Sequence, residues 1–301
     1  MRHRAFPLVP GARPGEAVMC MNRQRCHREI ILAVIIGVIS PVHGHGGSVP
    51  TAKGVQDNSF LIEEAYNQES EMVQHIFTFR RDVRSQAGST DRNWYFGFTQ
   101  EWPVLSQTHQ FSYTVPVTHL APGGSPAERG LGDMLLNYRF QALTEIASQP
   151  AFAPRLSVIL PTGNEARGLG ENAWGAQLNL PVSKIVHDRW TLHGNAGLTR
   201  LSGVRGRNPV TWNLGGSGIF AATRDFNLMF EATGEWRESV NGSGRFEREF
   251  AGTFSPGFRY AFNLPSGQLV VGAAVPLPLT KAAPDRSVFL YLSFEHPLLK
   301  K

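Results

Sequence analysis

Twelve stretches, most of them ten to twelve residues long and running from Glu71 to Phe294, alternate apolar with polar or small side chains. In the clearest, Met134, Leu136, Tyr138 and Phe140 share one parity, against Asp133, Asn137, Arg139 and Gln141 on the other. Strand side chains point to opposite faces with a period of two, so each stretch has one oily and one wet face. Strands of soluble proteins run to about five or six residues, whereas a tilted membrane-spanning strand needs about nine to eleven. An even number of long two-faced strands predicts an all-β fold: a closed antiparallel up-and-down transmembrane β-barrel of about twelve strands. A secreted β-sandwich or jelly roll is the alternative.

The first 44 residues read as a signal peptide, with the true start at Met1, Met19 or Met21. Arg23, Arg25 and Arg28 precede the apolar run from Ile30 to Val42, which is too short for a spanning helix but suits a secretory leader cleaved after Gly44. An uncleaved anchor is the other reading. Residues 1–45 hold six of the 29 basic and two of the 24 acidic residues, so their removal takes the net charge from +5 to +1. Basicity therefore does not point to a nucleic-acid partner. Cys20 and Cys26 both lie in this segment, which leaves the processed chain without thiol chemistry. An exported chain with no oily helix can cross a bilayer only as a closed sheet, because an open edge would leave unpaired amides in hydrocarbon. The expected compartment is the outer membrane of a Gram-negative bacterium.

Residues 45–69 read as a Gly/Ser/Pro-rich linker followed by a short plug-like helix over 58–67, capped by Asn58 or Ser59. Phe60, Leu61, Ile62 and Tyr66 are its candidate plug residues. The barrel is assigned to 70–301, with strands at 71–81, 92–102, 108–117, 131–142, 153–161, 173–183, 189–200, 211–221, 226–237, 247–261, 267–277 and 287–296. Connections alternate short and long, which places both termini on the periplasmic side. Trp94, Trp102, Trp174, Trp190, Trp212 and Trp236 lie near strand ends on the oily parity and predict an aromatic belt.

The wet parity is then the interior. Its candidate lumen-lining residues are Arg80, Glu101, Asp133, Arg139, Arg155, His193, Glu231, Glu235, Arg259, Phe289, Tyr291 and Glu295. Charges of both signs are mixed, unlike the single-sign ring of an ion-selective pore. Buried charges need partners, so cross-bracing competes with solute contact as their role. A twelve-strand lumen lies between a filled barrel and an open channel, which predicts a constriction. Val270, Gly272, Ala274 and Pro276 form an uncharged inner stripe that could contact an apolar solute or the plug. Neither H-E-x-x-H nor G-x-S-x-G occurs, and no serine, histidine and acid cluster on one rim. The expectation is no enzyme, no cofactor and no metal, with a rim hydrolase as a minor alternative.

Glu63-Glu-Ala-Tyr-Asn-Gln-Glu69, Gln74-His-Ile76, Gly130-Leu-Gly-Asp133, Leu160-Pro-Thr-Gly163 and Tyr291-Leu-Ser-Phe-Glu-His-Pro297 resemble the outer-membrane transporters grouped with the meta-pathway of phenol degradation. The resemblance covers about Ser59 to Pro297. It implies a single barrel, passage of small and often aromatic solutes, and no catalytic residues. The expected partners are the lipid bilayer, such a solute and the outer-membrane assembly machinery. That machinery commonly reads an aromatic end, whereas this chain continues past Phe294 to Leu298-Leu-Lys-Lys301, so less efficient assembly is expected. A non-conducting structural or adhesive barrel is the runner-up function.

Overall fold

The computed structural model describes residues 55, 57–86 and 88–298. The leader predicted over 1–44 and most of the linker after it lie outside the described residues. Fifteen strand segments follow one another in the chain: β1 (Met72–Gln86), β2 (Ser89–Val104), β3 (Ser106–Leu120), β4 (Glu128–Leu131), β5 (Met134–Phe140), β6 (Ala151–Phe152), β7 (Arg155–Leu160), β8 (Trp174–His187), β9 (Trp190–Ser202), β10 (Val210–Ala221), β11 (Phe226–Val240), β12 (Phe246–Leu264), β13 (Gly267–Ala274), β14 (Leu277–Pro278) and β15 (Arg286–Pro297). All pairings are antiparallel: β4 and β5 both pair with β3, β6 and β7 both with β8, β13 and β14 both with β12, and β1 pairs with β15 from Met72↔Pro297 to Val83↔Arg286. That last ladder closes the sheet. With β4–β5, β6–β7 and β13–β14 each counted as one interrupted stave, the barrel has twelve.

The interruptions have local causes. Between β4 and β5, Gly132 N bonds Pro116 O at 2.9 Å, and the Asp133 carboxylate accepts from Gly163 N at 2.8 Å and Glu171 N at 2.9 Å. Asp133, expected to line the lumen, fastens the 161–173 loop instead. Between β13 and β14, Pro276 has no amide to give a ladder. The loop predicted over 82–91 is mostly strand, because β1 and β2 stay paired out to Gln86↔Ser89. Charged side chains stop a lipid-facing strand, but they do not stop a ladder that continues into water.

Outward side chains are apolar through the middle of the staves. Leu180, Leu214, Phe254, Phe258, Leu290 and Leu292 are all exposed. A soluble protein rarely leaves so continuous an apolar band uncovered, so it is the lipid-facing belt of a transmembrane barrel. Among the described residues no helix is long and apolar enough to cross a membrane, and the strands do the crossing. Both ends of the sheet's chain, Met72 and Pro297, lie at one end of the barrel, called here the near end. Trp102 and Trp190 sit toward the near end, and Trp94, Trp174, Trp212 and Trp236 toward the far end. Trp212 faces Trp236 directly across the ladder, and Trp236 stacks on Phe250 with centroids 4.6 Å apart.

The helix expected over 58–67 does not form. Residues 57–70 cross the lumen as irregular chain, since their backbone groups find partners on the wall. Substituting Arg for Phe254 or Leu290, in the middle of the belt, should cost about 2–4 kcal/mol, read as a lower urea midpoint for unfolding in lipid vesicles.

Candidate functional site

Two arginines set the terms of the interior. Arg139 on β5 and Arg155 on β7 are directly opposite in the ladder, an arrangement that is unfavourable for like charges. The Glu63 carboxylate sits between them. Arg155 Nε donates to its two oxygens at 2.7 and 2.8 Å, Arg139 Nη1 is 3.5 Å away, and Asn179 Nδ2 also donates. Arg139, only 3% exposed, has its remaining donors used. Its Nε bonds Asn67 Oδ1 at 2.9 Å, Nη1 bonds Glu64 O at 3.1 Å, and Nη2 bonds Tyr66 O at 2.8 Å and Gln110 Oε1 at 3.0 Å. Burial pushes the Glu63 carboxyl up, but Arg155, then Arg139 and the hydrogen bonds, offset that and hold it below the usual carboxylate range. Its contribution is thus present above the ordinary value of 4.5 and is lost as pH falls below it.

The rest of the crossing segment is gripped in the same manner. Glu231, with 0% exposure, accepts from the backbone amides of Leu61 at 2.9 Å and Ile62 at 3.2 Å. Ala65 N donates to Ser183 Oγ at 2.8 Å, Asn67 N to Gln141 Oε1 at 3.0 Å, and Gln68 N to Gln110 Oε1 at 2.6 Å. Arg259 donates to the carbonyls of Asp57, of Asn58 at 2.9 Å and of Val55 at 3.1 Å. The Asp57 carboxylate accepts from Tyr291 Oη at 2.7 Å, Ser293 Oγ at 2.6 Å and Gln74 Nε2 at 2.6 Å. A helix would spend these amides and carbonyls on its own i→i−4 bonds and leave buried wall groups unpaired, which is costly.

The apolar side chains of the segment fill matching gaps. Phe60 lies against Phe289 and Tyr291, with ring centroids 5.4 and 5.1 Å away, in a cluster with Val270 and Ala274. Its ring occupies the space where a side chain on Gly272 would stand, and Ile62 does the same at Gly215. The uncharged stripe of β13 is thus covered by the crossing chain. Leu61 faces the far side, and the Tyr66 hydroxyl donates to Glu145 at 2.5 Å.

Cavities remain on both sides of the segment. The near-side cavity, about 400 Å³, is lined by Glu64, Tyr66, Glu101, His193, Arg259 and Glu295 among others. The far-side cavity, about 390 Å³, is lined by Arg80, Asp82, Tyr95, Thr233 and Glu235 among others. Arg80 pairs with Asp82 at 3.0 Å and lies over the Tyr95 ring, 4.8 Å from its centroid. Glu235 accepts from Arg237 Nε at 2.6 Å. The structure therefore divides the sequence-predicted interior residues into three places. Arg139, Arg155, Glu231, Arg259, Phe289 and Tyr291 hold the plug, Arg80 and Glu235 line the far cavity, and Glu101, His193 and Glu295 line the near one.

Near the centre, Ser183, His193 and Glu64 stand in the order of a hydrolytic triad. Ser183 Oγ is 2.7 Å from His193 Nδ1, and His193 Nε2 is 3.7 Å from Glu64 Oε2. The serine is fully buried, and its oxygen accepts from Ala65 N at 2.8 Å, so the three side chains serve here to seat the crossing segment. Among the described residues no group of three or more His, Cys, Asp or Glu side chains is arranged to hold a metal.

The fold and the site together define a transmembrane β-barrel whose lumen is crossed by its own N-terminal segment. The chain belongs to the family described as "Putative MetA-pathway of phenol degradation", whose model matches residues 44–294. It is similar to an outer membrane channel from Pseudomonas putida F1, with a TM-score of 0.64 and 14% identity over 77% of this chain and 97% of that one. The KdgM porin aligns with a TM-score of 0.45 and 8% identity, covering 74% of this chain and 98% of its own. The translocator domain of the autotransporter NalP from Neisseria meningitidis gives 0.48 and 11%, covering 76% and 89%. No curated protein matches the sequence.

Replacing Glu63 by Ala leaves Arg139 and Arg155 opposed without their anion. The expected cost is about 3–5 kcal/mol of plug seating, read as alkylation of a cysteine in an I62C background. A second outcome concerns pH. Burial, opposed by Arg259 and reinforced by Asp57, pushes Glu64 up to about 8. A raised carboxyl favours the seated state while protonated, so seating weakens as pH rises from about 4.5 towards about 8. Alkylation should increase over that range, and Glu64→Gln should reduce the increase.

Proposed function

We propose that this protein is an outer-membrane channel that passively admits small solutes, hydrophobic or aromatic ones among them. The leader over 1–44 directs export with cleavage near Gly44, and the assembly machinery of the outer membrane inserts the barrel with its near end in the periplasm. The observation that carries this reading is the pair of cavities, about 400 and 390 Å³, separated by a single pass of chain. A barrel built only for structure has no need of such spaces, since its interior can be filled with side chains. Mixed charges on the lumen wall favour passage without strong selection for one sign. The aromatic preference is supported by the family description and by Phe60, whose ring would vacate a slot between Phe289 and Tyr291 if the segment moved.

A non-conducting structural or adhesive barrel is the second reading. The number of bonds that seat residues 57–68 favours it, because an unmoving plug would block any flow. No catalytic role is assigned to any residue.

Planar-bilayer recording separates these readings. The intact protein should conduct weakly, and deletion of residues 57–68 should raise single-channel conductance several-fold. A barrel that stays silent in both forms, and that gives no uptake of a small aromatic solute into liposomes, would favour the structural reading.

A further inference from the structure

On the outer wall, one pair of side chains is placed in a way that contact with lipid does not explain. His75 on β1 and His296 on β15 straddle the seam where the first and last strands meet. Their Nε2 atoms are 3.2 Å apart, and the rings stack with centroids 5.3 Å apart. The register sets His75 opposite Phe294 and His296 opposite Val73, so the imidazoles are diagonal neighbours reaching toward each other. Phe98 covers the His75 ring at 6.3 Å, and Phe294 lies beside His296 at 5.3 Å. His75 is the fourth residue of β1 and His296 the last but one of β15, which puts the pair at the near-end interface, within reach of water.

The carbonyl of Pro297 fixes one tautomer. His296 Nδ1 is 2.8 Å from that oxygen, which can only accept, so Nδ1 holds the proton and Nε2 presents a lone pair to His75. With nothing between the rings, His75 Nε2–H donates to that lone pair. Moving the His75 proton to Nδ1 leaves two lone pairs directed into one gap, with no change in net charge. Imidazole nitrogens bind Zn²⁺ at about 2.0–2.1 Å, and two of them at a tetrahedral angle stand about 3.3 Å apart. The gap is already of that size. A ring N–H donated to a carbonyl is also the usual support for a histidine that ligates a metal.

We propose that His75 and His296 bind a divalent transition-metal ion of the class that imidazole prefers, such as Zn²⁺ or Cu²⁺, on the outside of the closure seam. Two protein ligands leave the other coordination positions to water. The ligands are 221 residues apart in sequence and meet only when β1 lies against β15, so the ion binds the closed barrel and not the unfolded chain.

The test uses the full chain folded in detergent, stripped with a chelator and titrated with Zn²⁺ alone and with Cu²⁺ alone. One ion should bind per barrel and raise the unfolding temperature, and the bound Cu²⁺ should show two imidazole nitrogens in its electron paramagnetic resonance spectrum. His75→Gln and His296→Gln should each weaken binding about tenfold or more while the barrel keeps its heat-modifiable migration. Absence of binding, or binding unchanged in both variants, would overturn the proposal, since the ion would then be held by histidines elsewhere in the chain. The spectrum of the unsubstituted protein decides the matter if either variant fails to fold: fewer than two nitrogens rules the pair out.

Discussion

The interior of this barrel depends on a carboxylate placed between two arginines that the ladder forces to face one another. Arg139 and Arg155 are paired by register, so neither can turn away without breaking the alternation of its strand. Glu63 resolves the conflict, and in doing so it fixes the height at which the crossing segment enters the lumen. The neighbouring contacts follow from that height. Glu231 meets the amides of Leu61 and Ile62, Arg139 meets the carbonyls of Glu64 and Tyr66, and Ser183 meets Ala65. Moving Glu63 by one residue would displace every one of them.

The segment is held mainly by polar contacts, and this bears on how it could move. Apolar contact comes from Phe60, Leu61 and Ile62 and from Ala65 and Tyr66 against Ala151 and Ala153, while the remaining hold comes from hydrogen bonds to wall side chains. Such bonds contribute modestly on balance, since water can replace them, but they are expensive to leave unmade in a dry site. Several of these bonds lie beside the two cavities, where Glu64, Tyr66 and Asn67 line the near one and Leu61 the far one.

The barrel is legible from its pattern, and so is the position of the crossing segment, but not its conformation. A period of two over ten residues can be satisfied in few ways, so the twelve staves, their order and the tryptophan positions followed from the alternation alone. Ends were less certain, because β1, β2 and β11 run past the lipid into water, where no hydrophobic signal marks a stop. The helix expected over 58–67 rests on a plausible cap at Asn58 or Ser59, a local preference overruled by partners more than a hundred residues away, such as Glu231 and Ser183. Parity places Asp133 on the lumen, but it gives no hint that its carboxylate accepts from the loop amides of Gly163 and Glu171. A signal for the plug was nonetheless in the sequence. The inward parity carries Arg139, Arg155 and Arg259 without acidic residues opposite them, while Asp57 and Glu63 stand in a short segment with no strand of its own. Matching that surplus to that supply points to an extended, wall-bonded segment in place of a helix. His75 and His296 gave no such hint, because only the closing register brings them together.

The grip on residues 57–68 carries a chronology with it. Its members come from strands as far separated as β1, β3, β8, β11 and β15, so the socket does not exist until the final hairpin has been laid against the first strand. The part of the molecule synthesised early is therefore the part docked late. Until then the wall arginines Arg139, Arg155 and Arg259 lack the partners that the segment brings, and closure of the wall is what allows that segment to be drawn in.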